Sequence, residues 1–564
     1  MNVAKHIYNQ LVRYNVENVF MYSGGAIMPL IDCFYKNDKI KYYINSHEQN
    51  CGHAATGYAK SSGKTGVVLV TSGPGITNCV TPLLDATNDS TPLIVISANV
   101  PLSAIGTQAF QEAPAVEITK PVTKWSYMVN KDDDIEHILE KAFYIANDKK
   151  KGSVHIDIPK CILTKKYIFK TNYLSRSYIK NYKVSHDLDK ICNIISEAEK
   201  PILYVGKGAN NISKFIRLFS KMNNIPVTTT MHGMGIVDET DDLSLQMCGM
   251  HGNGAANFAL QESDCIIAVG SRFDDRTIGN KSKYAPNCKN FIHFNIEEKE
   301  INKIIDTQYY IVGNLEYTFL NFFEKYKNKK YNKNWLERID TLKNQYKFTY
   351  NKSNNLKTQE VLIELNKQIT NNMEKYFITT GVGNHQMMSC QFIDWKVPNR
   401  FISSGSLGVM GAGLPYAIGT QIANPEHIVI NIDGDSSFLM TLTDLKTIKE
   451  HNLPVKILLM NNGTQDMVRV WETLFFDGRI TATKNKSNPF FDNLAESFGI
   501  KGSICNNKLN LSKQIKYFLE YDGPILMNCI VEPDFCFPLV QPGAGLDEMI
   551  LTEDDIITGS EVPS

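Results

Sequence analysis

Asp435 and Asn462 end two short apolar runs, Ile428 to Ile432 and Val455 to Met460, in the stretch IVINIDGDSSFLMTLTDLKTIKEHNLPVKILLMNNG. A carboxylate and an amide oxygen suit a hard cation such as Mg²⁺, which takes oxygen ligands and keeps places for phosphate. Gly434 and Ser436 are small enough for backbone and a phosphate to come close. The stretch therefore reads as the holder of a metal-bound diphosphate, although any doubly wound sheet with polar strand ends has the same pattern. Glu48, after His47 and before the small-residue run Cys51 to Ala59, is either a catalytic carboxylate or an acid in a helix's first turn, where the macrodipole favours it. Arg272, Asp275 and Arg276 follow the apolar run Cys265 to Val269, as ligand-binding charges or as an exposed salt-bridge cluster. In Thr380-Gly381-Val382-Gly383-Asn384-His385-Gln386 the glycines let backbone amides face an anion, with His385 as a further donor. Gly206-Lys207-Gly208 is a fragment of the dinucleotide fingerprint. Met410, alone among Gly405, Gly408, Gly411, Gly413 and Gly419, has gap-filling as its plainest role.

The elements that must position these groups follow from periodicity. Leu442, Leu445 and Ile448 recur at helical spacing between the two apolar runs, so the first stretch predicts strand, helix over Leu439 to His451, and strand. A crossover of that length makes the strands parallel neighbours and brings Asp435 beside Asn462. At the start, Val3, Ile7, Leu11 and Val12 share a helical face, and a strand and a glycine turn at Gly24-Gly25 follow. Gly52, Ala54, Ala55, Gly57 and Ala59 predict a helix pressed closely on its neighbour. Val67 to Val70 runs as a buried strand into Ser72-Gly73-Pro74-Gly75. Residues 161–188, rich in Lys, Tyr and Ser, and 323–357, rich in Asn, Lys and Tyr, read as connectors. A third unit starts near Thr358, with a strand over Lys375 to Thr379. The expected division is 1–165, 188–325 and 356–545, with a loosely ordered tail over 546–564.

Composition narrows the class. The 564 residues, 43% hydrophobic, suffice for about three or four domains with large cores. Lys plus Arg and Asp plus Glu are equal at 59 each, which gives no attraction to nucleic acid or to an anionic membrane. Small molecules and copies of the chain are the expected partners. The twelve cysteines show no CxxC pair and no zinc spacing, so they read as reduced thiols. With no signal-peptide pattern at the start and no run of membrane-span length, a cytoplasmic location is expected.

Taken together, SGGAIMP, HEQNCGHAATGYA, SGPGITN, AIGTQAFQE, GMHG, VGSRFDDR, TTGVGNHQM, GVMGAGLP, IDGDSSFLMTLTDL, LPVKILLMNN, MVRVW and PGAGLDE run through nearly the whole chain. In content and order they resemble the acetohydroxyacid (acetolactate) synthase catalytic subunits, a family of thiamine-diphosphate enzymes. That resemblance implies an α/β fold of three doubly wound parallel-sheet domains, a pyrimidine domain and a diphosphate domain flanking a central Rossmann-like flavin domain. Thiamine diphosphate would lie between the first domain of one subunit and the last domain of another, in a homodimer or homotetramer. A small regulatory subunit is a further implied partner. Glu48 matches the glutamate that bonds the aminopyrimidine and promotes loss of the thiazolium C2 proton. Gly25, Phe110, Gln111 and Lys160 match residues lining the reaction centre. Asp435, Asn462 and the Thr464 carbonyl match the Mg²⁺ ligands. Gly383, Asn384, His385, Gly408, Met410, Gly434, Ser436 and Met467 match thiamine diphosphate contacts, with Met410 as the wedge that bends the cofactor. Lys150, Gly206, Met250, His251 and Arg276 match further cofactor positions, for FAD in a non-redox role. Pyruvate is the implied donor and a second 2-oxoacid the acceptor, its carboxylate matched to Arg272 and its side chain to Trp471.

The match has departures. Lys150 stands where the family commonly has an arginine against FAD, and Asn314 where an acid is common near the flavin. Gly463-Thr464-Gln465-Asp466 replaces a more acidic turn, and Arg469 and Glu472 alter the surroundings of Trp471. These changes bear on the acceptor, and they motivate a second reading as a related flavin-containing carboligase acting on an aldehyde or keto-sugar. A relative that has lost catalysis is opposed by the presence of Glu48 and Asp435.

Overall fold

The computed structural model describes residues 1–167, 188–327 and 332–555. Most of the 161–188 connector and the last part of the tail, 556–564, lie outside them. Three six-stranded sheets form, with parallel pairing throughout. In space the first runs Lys41–Ile44, Asn18–Met21, Gly66–Val70, Leu93–Asn99, Ser153–Pro159 and Trp125–Met128. The third runs Phe401–Ile402, Tyr376–Thr380, Ile428–Gly434, Lys456–Asn461, Ile525–Ile530 and Lys501–Cys505, which is the same order relative to the chain. The central sheet differs, with Tyr309–Val312, Asn290–Asn295, Cys265–Val269, Pro201–Val205, Val227–Thr229 and Ser244–Met247. Its strand order reverses direction between Pro201–Val205 and Cys265–Val269, where an open α/β sheet leaves a crevice at its carboxyl edge.

The β-branched and aliphatic runs form these strands because both faces are covered, and Leu93–Asn99 and Ser153–Pro159 are buried at every position. The first and third domains share one continuous core, joined through the helices Glu48–Ser62 and Gly413–Ala423. A Cβ on Gly57 would strike the Tyr416 backbone, and one on Gly419 the Ala54 carbonyl. The small residues are there because two helix backbones touch.

Several expectations change. The predicted helix over Leu439 to His451 is broken into Asp435–Leu439, Leu442–Asp444 and Leu445–Glu450. The 323–357 connector carries the helix Lys333–Gln345, whose Trp335, Ile339 and Leu342 are buried in the central domain's core. The tail is docked as far as Ile550: Met549–Ile550 pairs with Leu539–Val540, Leu546 is buried, and Gln261 donates to Asp547 at 2.7 Å. Trp335, Ile339 and Leu342 do stand at helical spacing, but in a stretch so polar that its composition reads as a connector, whereas the tail is held by scattered single residues. No helix of the described residues is long and apolar enough to cross a membrane.

Candidate functional site

At the third sheet's carboxyl edge the strands Ile428–Gly434 and Lys456–Asn461 are parallel neighbours, with Gly434 level with Met460. Continuing that register puts Asp435 opposite Asn461, so Asn462 lies one step further out instead of directly beside it. The Asp435 carboxylate is buried and accepts from Asn485 Nδ2 at 2.9 Å and Asn488 Nδ2 at 2.5 Å. Asn488 also donates to Asn461 Oδ1 at 3.1 Å, tying the two strand ends together. Burial raises the Asp435 pKa, and the two amides act against that rise. Asn462 Oδ1 accepts the Thr464 amide at 3.1 Å, and the Thr464 hydroxyl donates to the Thr483 carbonyl at 2.9 Å. Asn485 and Asn488 had no signal in the sequence, because they come from an irregular loop far down the chain.

The neighbouring strand Tyr376–Thr380 leads to Gly383, the cap of helix Asn384–Phe392. Gly383 has no side chain to satisfy the first amides of that helix, an arrangement that receives anions. Asn384 Oδ1 and His385 Nε2 are buried without a hydrogen-bond partner. A Cβ on Gly434 would lie 2.8 Å from His385 Nδ1, so this loop and the Asp435 strand end touch. Burial lowers the His385 pKa to about 4, so the ring is neutral at pH 7, while burial raises that of Asp433, 3.5 Å away, to about 7. Uncapped amides, unpartnered polar atoms and one buried carboxylate with amide and carbonyl oxygens fit a diphosphate and a hard cation. Among the described residues no cluster of three His, Cys, Asp or Glu would bind a metal by itself.

A second centre is a cavity of 1740 Å³ at the central sheet's crevice, larger than the roughly 300–1000 Å³ of a typical ligand pocket. Lys150, Gly206, Met250, His251, Arg272, Arg276, Gly408, Met467 and Trp471 all line it. Volume and position fit a large dinucleotide with space left over, in a lining that mixes lysines and arginines with acids such as Asp274 and Glu300. Gly206 lacks a side chain because a Cβ there would meet Gly270 O at 2.5 Å, so loop crossing explains that glycine. Lys150 is paired with Glu300 at 2.7 Å, and Asn314 caps a helix by accepting from the Glu316 amide at 2.8 Å. His251 approaches the Cys536 and Pro538 carbonyls at 3.1 and 3.3 Å, and Met250 packs in the cluster that holds Trp471.

Arg272 lines the cavity but is also engaged within the chain. Its guanidinium donates to the Asn88 carbonyl at 2.8 Å and to Ser406 Oγ at 2.7 Å, so two of its nitrogens are committed to protein. Arg276 is 61% exposed, meets Asp275 only at 3.7 Å and approaches Met250 Sδ at 3.2 Å, on the Trp471 side of the cavity. Arg276 is thus the more exposed of the two.

Gly25, Glu48, Phe110, Gln111 and Lys160 all follow strands of the first sheet, at its carboxyl edge. Asn78 Nδ2 donates to one Glu48 oxygen at 3.0 Å. Gly25 and Lys160 are exposed and Phe110 is 89% exposed. None of the five lines the large cavity or hydrogen-bonds to the Asp435 group within the chain. Met410 and Ser436, both half-buried, also lie outside that cavity's lining.

Three family models match in succession: thiamine pyrophosphate enzyme, N-terminal TPP binding domain, over residues 1–118, central domain over 188–321, and C-terminal TPP binding domain over 381–529. The chain is 41% identical over 576 residues to the mitochondrial acetolactate synthase catalytic subunit of Saccharomyces cerevisiae, covering 98% of this chain and 84% of the relative. It is 41% identical over 574 residues to the mitochondrial acetolactate synthase of Schizosaccharomyces pombe, covering 97% and 86%. The acetolactate synthase large subunit of Porphyra purpurea is 39% identical over 565 residues, covering 96% and 94%. The two fungal names overturn the expected cytoplasmic location. That expectation rested on the missing signal-peptide pattern and membrane span, which speak against secretion and membrane insertion but do not choose among the compartments inside a cell.

Proposed function

The chain belongs to the acetolactate synthases, within the thiamine pyrophosphate enzymes, and from that premise we propose that it joins a two-carbon unit from pyruvate to a second 2-oxoacid. Thiamine diphosphate, when bound, supplies the carbon nucleophile and the electron sink that loss of CO₂ requires. The residues that would hold it are Gly383, Asn384, His385, Gly434 and Ser436, with Asp435, Asn462 and the Thr464 carbonyl on Mg²⁺. The observation that carries this reading is the buried Asp435 at one strand end, next to the uncapped helix start at Gly383.

Glu48 has one oxygen engaged by Asn78, which leaves the other to hold a proton on the cofactor's aminopyrimidine. Gly25, Phe110, Gln111 and Lys160 surround the same sheet edge and would exclude water from the reacting carbon. The exposure of Phe110 supports closure of this edge by the third domain of a second copy, as a dimer or tetramer. Arg276 would hold the acceptor's carboxylate and Trp471 its side chain, while Arg272 braces the cavity wall. FAD would occupy the central cavity, with Lys150, Gly206, Met250 and His251 along its wall. The printed names "catalytic subunit" and "large subunit" support a second, smaller subunit, and the fungal names support a mitochondrial location. The purified chain incubated with thiamine diphosphate, Mg²⁺ and pyruvate should accumulate acetolactate, and more of the mixed product when 2-oxobutyrate is added. A folded protein that decarboxylates nothing and forms no acetolactate would refute the reading.

A further inference from the structure

The loop Ser403–Val409 belongs to the third domain, between the strand Phe401–Ile402 and the helix Gly413–Ala423, and it leads straight into Met410. Most of what holds it comes from elsewhere. The first-domain helix Val80–Asn88 offers Asp85 and, at its C-cap, Asp89, one turn apart and both buried. Asp89 accepts the Gly405 and Ser406 amides, each at 2.9 Å. Asp85 accepts from Ser404 Oγ at 2.6 Å, and that same oxygen accepts the Val409 amide at 3.0 Å. Asp85 also takes the Tyr416 hydroxyl. Lys60 spans the junction, with Nζ 2.7 Å from Asp89 and 2.5 Å from the Ser403 carbonyl. The central domain adds Arg272 on Ser406 Oγ, His232 3.4 Å from Asp89, and Lys207 on the Asp89 carbonyl at 2.6 Å. The third domain itself holds the two ends: Gln386 donates to Ser403 Oγ at 2.7 Å and to the Ser404 carbonyl at 3.1 Å, and Ser437 and Thr441 meet the Gly411 amide and carbonyl at 2.9 and 2.8 Å.

Burying two acids and two lysines is costly, and a hydrophobic plug would join the domains at less expense. What the carboxylates provide is direction: three donors in the loop meet oxygens whose places are set by a helix, and Ser404 passes the hold on to the Val409 amide. Burial pushes Asp89 up, but Lys60, His232 and Lys207 together hold it well below its usual value, so it is the charged member of the pair.

We infer that Asp85 and Asp89 are positioning residues, which hold the Ser403–Val409 loop so that Gly408 and Met410 are presented correctly to the thiamine site. This rests on the thiamine reading above. It is tested by titrating thiamine diphosphate with Mg²⁺ into the full chain by calorimetry, using Asp89→Asn and, as a milder change, Ser404→Ala. Ser404→Ala removes only the hydroxyl between Asp85 and the Val409 amide. Expected are a Kd raised about tenfold or more in Asp89→Asn and about threefold in Ser404→Ala, the cost of one lost hydrogen bond. A purely structural role would lower the unfolding temperature and leave the Kd of the folded protein unchanged. An unchanged Kd in Ser404→Ala overturns the inference even if Asp89→Asn fails to fold. If the unsubstituted chain takes up no cofactor, the thiamine reading itself falls and this one with it.

Discussion

The first and third domains have the same strand order but opposite carboxyl edges. In the third, Asn384, His385 and Asp435 are buried and Asp435 is held by amides of its own chain. In the first, Gly25, Phe110 and Lys160 stand in solvent on the edge that also carries the half-buried Glu48. On the proposed function, one topology would serve two purposes: a polar strand edge closed on itself would anchor a charged ligand, while an open edge would carry the reactive group to a surface that a second copy completes. Exposed apolar residues on such an edge are the mark of an unfinished site.

The strongest way to break that comparison is Glu48→Gln. If the first edge is reactive and the third is the anchor, kcat falls on the order of 10²–10⁴-fold, the range of a lost general acid or base. Thiamine diphosphate uptake, measured by calorimetry, should stay within a few fold. A loss of uptake as large as the loss of rate would make Glu48 an anchoring residue and erase the division of labour.

Asn488→Ala probes the other side. It removes a donor to Asp435 and the tie to Asn461 while leaving every proposed ligand in the sequence. The Mg²⁺ concentration for half-maximal activity should rise about 10–100-fold, as when groups behind a metal ligand are lost, with kcat recovered at saturating Mg²⁺. An unchanged Mg²⁺ requirement would mean that Asp435 needs no brace.

The sequence made one of these two regions far more legible than the other. Ile428–Gly434 and Lys456–Asn461 are mostly β-branched and aliphatic, with Asn431 and Asp433 the polar interruptions in the first, and a helical period lies between them, so their parallel pairing could be read directly. The same alternation along the chain indicates an α/β pattern, while the expectation of three doubly wound sheets came from the family resemblance. Pairing of charges across domains left no such trace. Nothing near Asp85 or Asp89 in the chain announces Ser404 or Lys207, and the commitment of Arg272 to Asn88 and Ser406 depends on how all three domains dock. Periodicity reports which face of an element is buried, whereas a side chain's partner across an interface is set by geometry no local pattern encodes.

Trp471→Ala addresses the cavity that neither edge forms alone. Trp471 packs on Phe475 beside Met250, and removing it takes apolar contact from any acceptor side chain there. Preference for 2-oxobutyrate over pyruvate, measured by competition, should drop by about tenfold, the lower range for one methylene in a fitted pocket. An unchanged preference would move acceptor selection to Arg276 and its surroundings.

The smallest effect tests how the two like domains are joined. Gly57 lies in the middle of the helix Glu48–Ser62, so Gly57→Ala would by helix propensity alone stabilise the chain by about 1 kcal/mol. Against that, the new Cβ would sit 2.6 Å from Tyr416 Cα and 2.9 Å from its carbonyl carbon. These are backbone atoms of the facing helix and cannot swing aside, so relief requires the helices to move apart, and overpacking of this kind costs about 1–3 kcal/mol. The clash wins, and the thermal unfolding midpoint should fall by a few degrees. Gly25→Ala is the matched control, because a Cβ there meets nothing within 4 Å, and its midpoint should not fall. If Gly57→Ala raises the midpoint instead, the helices are not in backbone contact, and the shared core of the first and third domains is looser than the two glycines imply.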